Sequence, residues 1–392
     1  MTGVPLAALR GTRIAHLIES DGPGGAERML ASLVRHLQSN GLHNVVILPA
    51  KGEGWLAQQL VGSGAIVEQF HLDRPVSPRL ARWLTEVLRR HRVALAHSHE
   101  FTMAVYGAWA AWRASAHHLI TMHGSRYYAD RLQRRIAMRA AAAASGQIVA
   151  VSQPLAAYLR RDLWIQSDRV AVIANGVSRP VTPATDVRRE LRLPDGASLI
   201  VAVGNLYPVK GHSYLVEAIG ALSRRHPAVH LAIAGRGDLA QSLRAQAAAL
   251  GVGDRLHLLG LRDDVAAVLA AADVVAMPSL SEGLPLALLE AMFAGRPIVA
   301  SAVGEIPATL ADGDAGVLVP PGDASALSAA IEQLLLDPQR RRQLGASAAA
   351  RAAAEYSLER MVERYAALYR RLLGNVSPPP GATAPGDAGR LR

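Results

Sequence analysis

The chain has no cysteine, which removes disulfides, thiolate metal sites and cysteine nucleophiles in one step. Aromatic residues are few, 4% of 392 positions, and no recognisable nucleic-acid module is present, so nucleic acid ranks last among possible partners. Long apolar runs are missing as well. The alanine tract at 140–144 is short and follows arginines, so no segment reads as a membrane span. The start, MTGVPLAALRGTR, lacks the basic opening and long apolar core of a secretory signal, and a cytoplasmic location is expected. Acidic residues are scarce in the first half alone. Residues 1–180 hold 21 Lys and Arg against 11 Asp and Glu, whereas 181–392 balance at 21 each. Ten of the fourteen histidines also lie in the first half. Such a lopsided field suits an anionic partner: a lipid surface, a phosphate-bearing substrate or, last, nucleic acid.

What is present is apolar material, half of all residues, enough for sizeable cores in two or three domains. Short runs rich in Val, Ile and Leu alternate with longer stretches of helical period, the pattern of parallel sheets with crossover helices. Candidate strands in the first half are 13–18, 45–49, 65–70, 93–97, 118–122, 148–152 and 170–173. Their near-continuous apolarity suits strands buried on both faces. The proline-rich, charged segment 179–198 interrupts the rhythm and reads as an interdomain connection. The alternation then restarts at 199–204, 230–235, 255–260, 273–278, 297–301 and 316–320. Two doubly wound α/β domains are predicted. The first covers 1–180 and the second 181–355, with a helix at 356–373 packing back on the body and a disordered Pro/Gly-rich tail at 374–392.

Ligands bind at the carboxyl ends of strands in such sheets. The strand DVVAMP exits into SLSEG, and a helix is expected from about Pro285 to Ala294, ended by Gly295. Its N-terminal amides form an anion site equivalent to roughly +0.5 charge. Glu282 precedes that helix, and Glu290 sits further along it, where Leu286, Leu289 and Phe293 would face the core. Lys210, in VGNLYPVKG, follows a strand and turn from which an ammonium could reach a diphosphate. Gly24 and Gly25 precede a helix and permit close backbone approach. Neither the GxGxxG spacing nor a GK[ST] is present, so dinucleotide and ATP sites gain no support.

The two glutamates stand seven residues apart in PSLSEGLPLALLEAM, and this resembles the E-x7-E signature of family 4 retaining glycosyltransferases. Other stretches agree in order: GPGGAER at 22–28, TMHG at 121–124, AVSQPL at 150–155, IANGV at 173–177, VGNLYPVKGH at 203–212, LLGLRDDV at 258–265 and AGVLVPPGD at 315–323. The resemblance covers residues 13 to about 373 and implies the GT-B fold, two facing Rossmann-like domains with parallel sheets and an interdomain cleft. It further implies retaining transfer of a sugar from a nucleotide diphosphate sugar of UDP or GDP type to an acceptor hydroxyl, and with no convincing carboxylate cluster in the sequence the transfer is expected to be metal-independent. The basic first half favours a saccharide or lipid-linked acceptor, one that bears phosphate, in cell-envelope or exopolysaccharide synthesis, and no other cofactor is expected.

By the same resemblance His123, Lys210 and Glu282 are the catalytic candidates, with Glu282 on donor-sugar hydroxyls and Glu290 on the ribose. Gly24, Gly25, Asn205, Arg236, Leu261, Arg262, Gly283, Leu284, Pro285 and Leu286 complete the donor set, and His99 and Arg126 lie on the acceptor side. An arginine usually occupies the place of Asn205, so one positive charge is missing and the diphosphate must rest on Lys210, helix amides and Arg236.

His97 and His99 suggest a metal, but a third ligand is absent from the sequence pattern; no metal site is expected. Asp312 and Asp314 fit a Gly-rich turn. Arg131, Arg135 and Arg139, at i, i+4 and i+8 beside Arg134, form one basic helix face for either an anionic lipid surface or solvent. Two other readings stay open, a nucleotide-sugar epimerase and a non-catalytic nucleotide-sugar-binding protein.

Overall fold

The computed structural model describes residues 6–72, 76–124, 131–179 and 185–374. Each predicted strand is present. The first sheet holds β1 (Arg13–Leu17), β2 (His43–Pro49), β3 (Ile66–Phe70), β4 (Leu95–His99), β5 (His117–Met122), β6 (Gln147–Ala150) and β7 (Val170–Val172). The second holds β8 (Ser198–Val203), β9 (Val229–Ala234), β10 (Leu256–Gly260), β11 (Val274–Met277), β12 (Ile298–Ser301) and β13 (Val317–Val319). Their spatial orders are β3-β2-β1-β4-β5-β6-β7 and β10-β9-β8-β11-β12-β13, and every pair is parallel. Both sheets therefore reverse direction beside their first strand, between β1 and β4 and between β8 and β11. A crevice opens at that switch point because the flanking crossovers leave to opposite sides.

The central strands are apolar on both faces because helices cover both. Leu199, Ile200 and Val201 are fully buried, for example, and divide between cores on the two sides of β8. Burying each such side chain contributes roughly 1.5–3 kcal/mol. The helix Leu358–Leu373 leaves the second domain and covers the first sheet. Its Met361, Val362, Tyr365 and Tyr369 pack with Ile14, Leu33, Leu95 and Leu119. The chain enters this helix through a bridge between Val177 and Ser357, so both interdomain crossings lie side by side.

The helix after β11 is one residue shorter at each end than its sequence suggests, Leu286–Phe293. Pro285 stands before the first helical residue with extended backbone, φ −72° and ψ 131°. Gly295 ends the helix at φ +63°. The inward face also differs: Leu288, Leu289, Ala291 and Met292 are buried, whereas Leu286 and Phe293 are only partly so. Rotating the helix this way turns Leu286 and Glu290 toward the crevice. The 374–392 tail prediction falls outside the described residues apart from Gly374.

Candidate active site

A cavity of about 340 Å³ lies between the two sheets at their switch points. From the first domain come the 23–28 turn, His123 and Asn175; from the second come Gly204, Asn205, Lys210, Leu261, Arg262 and the run 282–287 with Glu290. A larger cavity of about 610 Å³ lies around 76–83 on the outside of the first domain. It gathers no comparable set of opposed charges, so chemistry is assigned to the interdomain space.

At its centre the Lys210 ammonium donates to Glu282 Oε1 at 2.6 Å, and Ser279 donates to the same oxygen at 2.7 Å. The Glu282 side chain is only 9% exposed, so this is a largely desolvated ion pair whose remaining oxygen has no hydrogen-bond partner among the described residues. Two glycines permit the arrangement. Gly211, at φ +66° just after Lys210, would place a Cβ 2.0 Å from the Pro278 carbonyl oxygen; Gly304, at φ +57°, would meet the Glu282 carbonyl oxygen at 2.0 Å. The turn carrying Lys210 and the loop carrying Glu282 can approach only without side chains there.

Glu290 faces the same space. Burial raises its pKa, and nearby Arg28 partly offsets this. The Arg28 guanidinium lies 5.2 Å over the Trp55 ring. His123 Nε2 stands 3.2 Å from His99 Nδ1, while its backbone N–H donates to Glu100 Oε1 at 2.8 Å. Burial drives the His123 imidazole down to about 4, so it is neutral near pH 7. His123 Nδ1, His99 Nε2 and Asn175 Oδ1 are buried with no partner among the described residues; unmade hydrogen bonds of this kind are costly.

Most of the expected donor residues converge here: Gly24, Gly25, Asn205, Lys210, Leu261, Arg262, Glu282, Gly283, Leu284, Pro285, Leu286 and Glu290 all line the cavity. One arginine needs correction, and a second is already engaged. Arg236 does not line it and instead forms an ion pair with Glu53 across the interdomain gap. The Arg262 guanidinium is spent on Glu190, at 2.7 and 3.0 Å, and on Asp264, at 2.7 and 2.8 Å, which leaves it little capacity for a ligand. The other cations lining the cavity are Lys210 and Arg28, the latter carrying no distinguishing signal within GPGGAER. Asn175, in IANGV, has no role legible in the sequence; its Nδ2 donates to the Leu284 carbonyl at 3.2 Å and joins the domains at the loop before Glu290. Arg126 lies outside the described residues.

The third histidine missing from the sequence pattern is His16 of β1, whose ring meets those of His97 and His99. All three are buried, with one nitrogen each within 4.8 Å of the others. His97, however, uses both nitrogens, Nδ1 with the Tyr369 hydroxyl at 2.8 Å and Nε2 with Thr121 at 2.7 Å. Two available nitrogens do not make a closed site. Asp312 occupies a turn at φ +51°.

Comparison with known proteins agrees with this geometry. Residues 23–179 match the family model described as Glycosyltransferase Family 4, and residues 184–351 match Glycosyl transferases group 1. A D-inositol 3-phosphate glycosyltransferase of Corynebacterium efficiens is 33% identical over 46% of this chain and 46% of its own length; the matched stretch thus spans about half of that curated relative. The lipopolysaccharide core biosynthesis glycosyltransferase LpsE of Rhizobium meliloti is 28% identical over 87% of this chain and 94% of its own. Among solved structures, Anabaena HepE in complex with UDP superposes with a TM-score of 0.82 at 22% identity, over 92% of this chain and 100% of that one. With two matches that between them run from residue 23 to 351, and with paired Rossmann-like domains around one cleft, the chain belongs to the family 4, group 1 glycosyltransferases.

Proposed function

We propose that the protein transfers a sugar, with retention of anomeric configuration and without a metal, from a nucleotide diphosphate sugar to an acceptor hydroxyl. The observation that carries this reading is the Lys210–Glu282 pair facing Glu290 across the interdomain cavity. Glu290 holds the ribose, Glu282 orients the sugar through its free oxygen, and Lys210 with Arg28 balances the diphosphate. As the bond from the anomeric carbon to the phosphate oxygen breaks, negative charge grows on the diphosphate. Positive groups already aimed there stabilise the transition state more than the ground state. The acceptor oxygen attacks from the same face, and its proton passes to the departing phosphate oxygen. Neutral His123 contacts the donor sugar as a hydrogen-bonding group rather than a cation.

A UDP-type donor is favoured by the likeness to HepE, which binds UDP. A saccharide or lipid-linked envelope acceptor is favoured by the likeness to a lipopolysaccharide core enzyme. Among the described residues no helix is long and apolar enough to cross a membrane; we place the protein in the cytoplasm, in peripheral contact with an anionic inner membrane face. Incubation with a panel of UDP- and GDP-sugars, with and without saccharide acceptors and in excess chelator, tests the chemistry. Nucleoside diphosphate should be released only with acceptor, chelator should not stop it, and proton NMR of an early product should show the donor's anomeric configuration. Release of an epimer without acceptor, an inverted product, or complete loss on chelation restored by a divalent ion would each overturn the corresponding part.

A further inference from the structure

The outer side of the first sheet is covered by a row of helices, Pro78–Arg90, Glu100–Ala114 and Leu132–Ala144, each packed on the next. This side lies opposite the Leu358–Leu373 helix, which packs with the Gly25–Ser39 helix on the other face. Three of the chain's five tryptophans are exposed here: Trp109, Trp112 and Trp164, with Trp112 at 68%. Leu132 and Ile136 are exposed beside them, at 71% and 57%. Arginines stand among these apolar groups. The three helices contain eight arginines and two glutamates, and one glutamate, Glu100, is turned inward to the His123 backbone. A cavity of about 570 Å³ opens between the first two helices, lined by Trp109, Trp112, Tyr106, Arg82 and Arg113.

The basic face expected from Arg131, Arg135 and Arg139 is therefore only part of the surface, and it is not simply solvated. Arg135 donates to the Asp162 carbonyl at 2.7 Å, and both Arg135 and Arg139 lie over the Trp164 ring, at 5.8 and 5.3 Å. Arg113 lies 5.8 Å over Trp112.

We propose that this helical face docks on an anionic lipid bilayer, with Trp109 and Trp112 entering the headgroup layer and the arginines meeting lipid phosphates. Exposed apolar area rimmed by charge of one sign marks an interaction surface. Amphipathic indole rings flanked by cations match a bilayer interface, where apolar insertion and attraction to anionic headgroups add. A nucleic acid would be met by the same charge, but two tryptophans on the Glu100–Ala114 helix and a third in the loop after Arg161 form no groove that tracks a strand. The inference deepens the membrane part of the reading above and is independent of its chemistry.

Flotation of the full chain with phosphatidylglycerol-containing vesicles and with pure phosphatidylcholine vesicles tests it, in the absence of donor and acceptor. Binding should require the anionic lipid, weaken with salt, and blue-shift the tryptophan emission. Trp109→Ser/Trp112→Ser should lower partitioning by at least about tenfold, and Arg82→Gln/Arg113→Gln by about thirtyfold at low salt. All these positions are on the surface, and unchanged thermal unfolding will show that each variant is folded. Wild-type protein that ignores anionic vesicles at low salt overturns the proposal, as does a tryptophan variant that binds like wild type. A wild-type dimer that the tryptophan variant abolishes in sedimentation, without vesicle binding, overturns it in favour of a second copy on this face. Failure of the transfer assay leaves the vesicle result untouched.

Discussion

Lys210 and Glu290 face one cavity but should fail differently when replaced. On the proposed reading Glu290 meets ribose hydroxyls, which do not change charge during transfer, so it should bind ground and transition states alike, and uniform binding appears in KM. The proposed diphosphate gains charge, so Lys210 should contribute mainly to kcat. A hydrogen bond to a charged group is worth about 1.5–3 kcal/mol, so either change should cost roughly one to two orders of magnitude in kcat/KM. Glu290→Gln is expected to raise donor KM, and Lys210→Ala to lower kcat. The second effect is sharpened because Arg236 and Arg262 are engaged by Glu53, Glu190 and Asp264 and cannot readily compensate. Steady-state kinetics at saturating acceptor, with folding checked by thermal unfolding, distinguish the two. Near-wild-type kcat/KM in Lys210→Ala would remove that residue from the site, and a pure kcat loss in Glu290→Gln would contradict the ribose role.

Elements place these groups, and the turn before the His212–Leu222 helix is the sharpest case. Gly211 is left-handed, at φ +66°, and in backbone contact with the Pro278 strand exit. A methyl group there must push apart the two segments that bring Lys210 and Glu282 within 2.6 Å. Gly196 has φ +76° but open space around its missing Cβ. Gly196→Ala should therefore cost about 1 kcal/mol from backbone strain alone, and Gly211→Ala several times that. Urea unfolding measures both. Gly211→Ala should also lose activity under conditions where it is fully folded. Equal stability losses at the two positions would show that the close approach to Pro278 carries no constraint.

For the whole molecule, the histidines of the first domain set a limit on acid stability. Burial drives His16 and His123 to about 4, His118 to about 3, and His97 and His99 well below the ordinary value. Unfolded histidines titrate near 6.5. Between that value and the depressed ones the unfolded chain takes up protons that the folded chain refuses, so stability is full above about pH 6.5 and falls as pH drops. Each histidine contributes up to about 1.4 kcal/mol per pH unit in that window. Three or more acting together approach a domain's stability, commonly about 5–15 kcal/mol, by about pH 5. Circular dichroism melts from pH 7.5 to 5 should show the first domain unfolding at steeply lower temperature. A melting temperature flat across that range would mean that these rings are hydrated or paired in solution.

Sequence alone determined the elements. Thirteen short apolar runs separated by helical stretches mark strands of parallel sheets, and all thirteen occur in the two sheets, although the expectation of burial on both faces fails at the edge strand Ile66–Phe70, which is mostly exposed because only one neighbour pairs with it. The helix following β11 was legible to within a residue at each end because proline and glycine act locally. Its rotation was not, since which of Leu286, Leu288 and Phe293 turns inward depends on what packs opposite. The cavity-lining positions after strand ends were readable because a parallel sheet delivers them to one edge. Partners of charged groups were not: Arg236 meets Glu53 and Arg262 meets Glu190, residues far apart in the chain, and an ion pair leaves no periodic signal. His16 joins His97 and His99 only because β1 and β4 are neighbours in the sheet. The last helix, too, carries its apolar stripe in the sequence, but only the tertiary structure assigns that stripe to the first sheet, where Tyr369 closes over His97.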